Sequence, residues 1–267
     1  MTDAVHVEHR GPITLLTIDR PEAFNALDDA VLSGIESTLQ EAEASASTRV
    51  LVITGSGDKA FCAGADLREL QTMNLQAADA QIGRGQSLFR RIELTDVPVV
   101  TAVNGLALGG GFELVLASTV PIVSTRASFG LPETLLGLIP GYGGTQRLPR
   151  VVGPHVAAHL MLTGARLNAE RAHALGLTPV APVEPGDLLE SALELAGTIA
   201  RQGPEAVRSV LAALGEGRDV GFEAGLAAEH RLAAAAIAGD ESSEGIAAFL
   251  ERRAPEFEDR RVEGTAR

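Results

Sequence analysis

A chain of 267 residues, 45% of them hydrophobic, is long and apolar enough to bury one ample core. Its mixed charge argues against disorder, and a formal net charge of −13 argues against a general nucleic-acid surface, which needs clustered positive charge. The single cysteine excludes an internal disulfide framework and fits a reducing compartment.

The opening residues, MTDAVHVEHRG, hold neither the apolar stretch of a signal peptide nor an Arg-rich transit pattern. No apolar run approaches the ~20 residues that span a bilayer, so a soluble cytoplasmic protein is expected. Segment 11–21 (GPITLLTIDRP) predicts a first strand and 27–45 (LDDAVLSGIESTLQEAEAS) a first amphipathic helix. The β-branched run 49–54 (RVLVIT) predicts a buried strand that leads into Ala63-Gly64-Ala65-Asp66. Those residues are small enough for close backbone approach, and Asp66 can cap a following helix. Strands at 98–103 and 120–124, with helices near 66–93 and 111–118, complete the βαβ alternation of an α/β fold.

From Gly153 the pattern turns helical. Helices are expected at 154–162, 168–174, 187–201, 204–214, 221–238 and 242–252, with caps at Asn168 and at Ser242 or Ser243. Only 178–183 (TPVAPV) suggests a short strand there. The layout predicts a βα core over 1–200 that carries the site, followed by a helical region over 201–267 in the same structural unit.

Chemistry concentrates between residues 98 and 133. The strand at 98–103 enters a turn ending in Gly109-Gly110-Gly111, and a helix begins at Phe112-Glu113. Three glycines at a helix start leave backbone N–H groups bare, where the helix dipole favours developing negative charge. Glu113 just inside the helix is an odd choice for packing and a good one for proton transfer. Glu133 follows Pro132 in another turn. With the 63–66 turn as a second source of N–H groups, the pattern suggests a two-donor oxyanion hole flanked by acids.

Competing readings are weaker. No G-x-G-x-x-G follows the strand and no Gly-Lys-Ser/Thr follows the glycines, so neither a dinucleotide fingerprint nor a P-loop is present. Taken alone, the glycines could merely permit tight helix–strand packing, and Glu133 alone reads as a solvated acid. Gly141-Tyr142-Gly143-Gly144 reads as a simple turn. Cys62 has no histidine nearby in sequence and reads as a small buried thiol. His155 and His159 stand at i, i+4 but lack a third metal ligand and read as ordinary helix histidines.

Six stretches in order carry a resemblance: Arg20-Pro21 with Asn25-Ala26-Leu27, AFCAGADLREL (60–70), PVVTAVNGLALGGGFEL (98–114), FGLPETLLGLIPGYGGTQRLPRVVG (129–153), LTGARLNAERAHALGL (162–177) and EGIAAFLERRAPEF (244–257). Together they make the whole chain resemble the enoyl-CoA hydratase/isomerase (crotonase) superfamily. The resemblance implies a spiral of ββα turns whose helical C-terminal region makes trimer contacts, in a trimer or a dimer of trimers. It implies an oxyanion hole at the backbone N–H groups of Ala65 and Gly110, and catalytic glutamates at Glu113 and Glu133. It also implies CoA contacts at Ala63 for the adenine, at Lys59 and Arg68 for phosphates, and at Arg252 across a subunit boundary. Glu22 departs from relatives that carry a basic residue there. No metal or redox cofactor is implied, since CoA is part of the substrate. The expected reaction is hydration of a trans-2-enoyl-CoA to a 3-hydroxyacyl-CoA. The rivals are a Δ3,Δ2-enoyl-CoA isomerase, another acyl-CoA enzyme of the superfamily, or a non-catalytic acyl-CoA-binding homologue.

Overall fold

A computed structural model describes residues 4–259. The strands are β1 (Val5–Arg10), β2 (Ile13–Ile18), β3 (Val50–Gly55), β4 (Ala60–Cys62), β5 (Val99–Val103), β6 (Leu106–Leu108), β7 (Val120–Val123), β8 (Ser128–Gly130) and β9 (Leu167–Asn168). The helices are α1 (Asp29–Ala44), α2 (Leu67–Leu70), α3 (Leu75–Leu94), α4 (Gly110–Ala117), α5 (Gly144–Val152), α6 (Pro154–Thr163), α7 (Ala169–Ala174), α8 (Leu188–Ala200), α9 (Pro204–Arg218), α10 (Phe222–Ile237) and α11 (Asp240–Glu251).

Two sheets organise the chain. The larger has the order β1-β2-β3-β5-β7, parallel except for the β1–β2 hairpin. The smaller runs β4-β6-β8-β9, with only β9 antiparallel. Successive turns therefore lay one strand in the large sheet, a short strand in the small one, then a helix: β3-β4-α2/α3 and β5-β6-α4. This is the ββα spiral that the resemblance implies.

Both faces of the large sheet are covered, which explains why β3 and β5 read as unbroken apolar runs. On one face Leu16, Ile18, Leu51, Ile53 and Val99 join Phe61, Phe89, Phe112 and Phe129 in the main core. On the other, Leu15, Val50, Val52, Val100 and Ile122 meet α8, whose Ala192, Ala196 and Ala200 form a stripe of small residues facing the sheet. The Arg49 side chain donates to the carbonyls of Ala200 and Phe257, tying the helical C-terminal part to the start of β3.

The structure departs from the sequence reading in places with definable causes. Strand β1 (VHVEHR) is absent from the sequence reading, because only Val5 and Val7 reach the core from this edge strand and two apolar positions are too few to show a period. Strands β4, β6, β8 and β9 are too short to show a period. The helix expected near 66–93 is divided at Gln71–Asn74, where Asn74 caps α3 by accepting from the Ala77 amide. Segment 144–152 is helical despite its leading glycine and internal Pro149. TPVAPV forms no strand, only a single bridge between Val183 and Ser124. Asp66 and Asn168 do cap their helices, by accepting from the amides of Arg68 and Arg171. Helix α11 instead begins after Gly239, and Ser242 lies inside it, donating to the carbonyls of Ile237 and Gly239.

Candidate active site

The site forms beyond the C-terminal ends of β4 and β6, the parallel short strands that follow β3 and β5. The turn after β4 is held from several directions. Leu27 donates to the Gly64 carbonyl at 2.8 Å and accepts from the Asp66 amide at 3.0 Å. The Arg20 guanidinium pairs with Asp28 and Asp66. Buried Asn25, itself in the left-handed region at φ 57°, bonds the Arg20 amide and the carbonyls of Ser56 and Ala60. The Arg20 to Leu27 motif is thus a frame for the turn that carries Ala65.

The second turn, 108–110, lies against the first. Gly64 has φ 98°, and a Cβ added to it would stand 2.9 Å from the Leu108 carbonyl and 3.3 Å from the Gly110 nitrogen. Gly109, at φ 50°, also takes a conformation that suits glycine. Gly110 opens α4, so its amide has no acceptor within the helix. Among the described residues no acceptor takes the amide of Ala65 or of Gly110. Two free donors therefore occupy adjoining turns.

Sheet register brings in the carboxylates. Leu108 pairs with Gly130 across β6 and β8, and the Gly109 amide donates to the Gly130 carbonyl at 3.0 Å. Glu133 follows three residues later, opening a 3-10 turn, and a Cβ on Gly109 would lie 3.1 Å from its Oε1. Its Oε2 is buried without a partner, and burial raises its pKa above the ordinary carboxylate value. Glu113, in the first turn of α4, is 1% exposed. Its Oε1 accepts from the amides of Tyr142 at 2.8 Å and Gly144 at 2.7 Å. Burial pushes its pKa up to about 7, with the Glu133 charge adding to the rise; the Gly144 and Tyr142 amides and Arg147 act against it.

The sequence reading missed the amides of Tyr142 and Gly144. Its one available signal was a glycine pair in a segment otherwise rich in bulky apolar residues. Of the remaining expected residues, Lys59 and Arg68 are exposed on either side of the donor turn. The Ala63 amide donates to the Phe24 carbonyl at 3.0 Å. Exposed Arg252 follows α11, and the segment beyond it docks at the N-terminal end of β3, the end remote from the donor turns. Within one chain the structure does not join Arg252 to the other CoA-contact positions. Burial pushes the Cys62 thiol up to about 12, which suits packing and not nucleophilic attack. His155 and His159 are both exposed.

The family model described as enoyl-CoA hydratase/isomerase matches residues 8–260, which include both donor turns and both glutamates. The chain belongs to this family. Similar members include the crotonyl-CoA hydratase of Syntrophomonas wolfei, 39% identical over 251 residues that cover 94% of this chain and 96% of that one. The 2,3-dehydroadipyl-CoA hydratase of Escherichia coli is 42% identical over 255 residues, covering 95% of this chain and 98% of that one. Among solved structures, the enoyl-CoA hydratase of Bacillus anthracis superposes with a TM-score of 0.92 at 38% identity, covering 96% of this chain and 99% of that one. This enoyl-CoA hydratase/isomerase family enzyme is thus matched along nearly its whole length, with the site inside the match.

Proposed function

We propose that the chain is a trans-2-enoyl-CoA hydratase. One arrangement carries the reading: the buried carboxylate of Glu113 and the half-buried one of Glu133 converge on the turn that bears the free Gly110 amide. In this reading the thioester oxygen accepts from the Ala65 and Gly110 amides. As water adds at C3, negative charge moves onto that oxygen, and losing one such donor costs ~2.7–4 kcal/mol in a comparable oxyanion hole.

Glu113 takes a proton from the attacking water, and Glu133 gives one to C2. The amides of Tyr142 and Gly144 grip Glu113 against the burial that raises its pKa to about 7, which suits a base working near neutral pH, and Glu133 is read as the acid. The site then finishes with the proton on the opposite carboxyl from where it began, and exchange with solvent restores it. CoA enters as part of the substrate, with Lys59, Arg68 and the Ala63 carbonyl as its contacts and Arg252 as a contact across a subunit boundary. A homotrimer, alone or paired, accounts for the exposed apolar side chains of α10 and α11, among them Phe222 at 78% and Phe249 at 82% exposure. The relatives named crotonyl-CoA and 2,3-dehydroadipyl-CoA hydratases support the reaction class.

Absorbance of crotonyl-CoA at its thioester enone band tests this reading. Hydration removes the band, isomerisation of a 3-enoyl-CoA creates it, and an acyl-CoA-binding protein without activity leaves it unchanged.

A further inference from the structure

We propose that Arg147 is a positioning residue for Glu113: its guanidinium, anchored on Glu93, holds the Tyr142–Gly144 loop whose two amides grip the carboxylate. The inference rests on the reading of Glu113 as the base that activates water.

The loop is clamped on both sides of one residue. The Tyr142 amide donates to Glu113 Oε1 at 2.8 Å, while the Tyr142 carbonyl accepts from Arg147 Nη1 at 2.8 Å. The other guanidinium arm, Nη2, donates to Glu93 Oε2 at 3.0 Å, near the end of α3. Arg147 Nε is buried with no partner, so the side chain is committed to these two bonds. Between the gripping amides stands Gly143, at φ 110°, where a Cβ would overlap Arg147 Nη1. The loop is therefore shaped around the guanidinium, which explains why a glycine pair follows Tyr142.

Arg147 also acts through charge. Its side chain is 12% exposed and that of Glu93 7%, so their fields are poorly screened by solvent. Two further cations, Arg90 and Arg218, share the Glu93 carboxylate, and Asp219 takes the other end of Arg90. Arg150 lines a cavity together with Arg90, Glu93, Arg147 and Arg218, and donates to the Gln146 carbonyl. Toward Glu113 itself, the facing charged or titratable groups are Glu133, Tyr142 and Arg147. Glu133 raises the pKa of Glu113 and Arg147 lowers it. The Glu93–Arg147 pair thus bears on the basicity of Glu113 from behind the loop, without touching substrate.

A role limited to holding the fold together differs from this one in sign. Arg147→Gln removes a cation near Glu113, so the acid limb of the kcat/KM profile for crotonyl-CoA should move up by about 0.5–1 pH unit. Its kcat should fall roughly 5- to 50-fold with KM changed little. Glu93→Gln leaves the Arg147 charge less neutralised, so its limb should move down. Arg147→Lys keeps the charge and should return most of the limb to the wild-type position. Limbs moving in the same direction in Arg147→Gln and Glu93→Gln, or not moving at all, overturn the proposal. Should Arg147→Gln fail to fold, a downward limb in Glu93→Gln still supports it and an unmoved limb overturns it. A Glu113→Gln control separates the two levels. If that variant is inactive while the limbs stay fixed, only the Arg147 inference falls; if it hydrates like wild type, the base assignment falls with it.

Discussion

Gly144 bears on Glu113 twice: its amide donates to Glu113 Oε1 at 2.7 Å, and a Cβ added to it would stand 3.0 Å from that same oxygen. The same Cβ would lie 2.9 Å from Leu131 Cδ1. Gly144→Ala therefore crowds the carboxylate without straining the backbone. Overpacking of this kind costs about 1–3 kcal/mol, and kcat should fall roughly tenfold as Oε1 is pushed off its amides. Steady-state kinetics with a thermal melt check it; wild-type turnover would show that Glu113 does not depend on this grip.

The oxyanion turns make a separate prediction. Ala65 already carries a Cβ, so Ala65→Ser should be tolerated. A Cβ on Gly110 would meet Leu27 Cδ1 at 3.0 Å and the Tyr142 ring at 3.2 Å. Gly110→Val should then lose about 10²-fold or more in kcat, the scale seen when an oxyanion donor is lost. Gly111→Ala serves as the contrast, because its Cβ would overlap the Cys62 carbonyl oxygen and should lower Tm first. Equal, mild effects at residues 65 and 110 would count against a hole at this place.

The sequence showed which residue types the site would use but not why they meet. Glu113 and Glu133 could be picked out as acids beside a glycine turn, yet a separation of 20 residues says nothing about distance. They converge because Leu108 pairs with Gly130 in a sheet whose strands are two or three residues long, below the reach of any periodicity argument. The large sheet was legible for the opposite reason, since β3 and β5 are buried on both faces and must be apolar throughout. The clamp on Glu113 stayed hidden because its donors are backbone amides and its helix, α5, starts at a glycine and contains a proline.

Glu113 also sets a pH dependence of stability. Its pKa is about 7 in the folded chain against an ordinary 4.5. Between those values the folded state keeps a proton that the unfolded state has released, so stability falls as pH rises through the window. The full cost, about 3 kcal/mol on the scale of 1.36 kcal/mol per pKa unit, is present above pH 7. Glu113→Gln retains an oxygen to accept the two amides and does not titrate. Its Tm should match the wild type near pH 4 and exceed it by several degrees at pH 8. Parallel Tm curves would show that Glu113 is not raised.

The exposed apolar faces of α10 and α11 predict a stable oligomer, and sedimentation at micromolar concentration should find a trimer or hexamer. A stable, active monomer would refute that. If Arg252 reaches nucleotide phosphate across the boundary, Arg252→Ala should raise KM for CoA thioesters more than it lowers kcat. The effect should shrink at high salt, because exposed charge pairs are screened within about 10 Å at 0.1 M.

The two-acid mechanism has the most direct test. Replacing Glu113 or Glu133 by Gln keeps volume and an acceptor oxygen but removes the transferable proton. General acid–base assistance is typically worth ~10²–10⁴ in rate, so each single variant should lose about that much kcat while still binding acyl-CoA. Because both acids serve a single addition step, the double variant should lose far less than the product of the single losses. An isomerase behaves otherwise, since a single base can carry the proton between carbons and one of the two variants would keep nearly full activity on a 3-enoyl-CoA. If both single variants hydrate crotonyl-CoA within a few-fold of wild type, the convergence of Glu113 and Glu133 is structural and the hydratase reading fails.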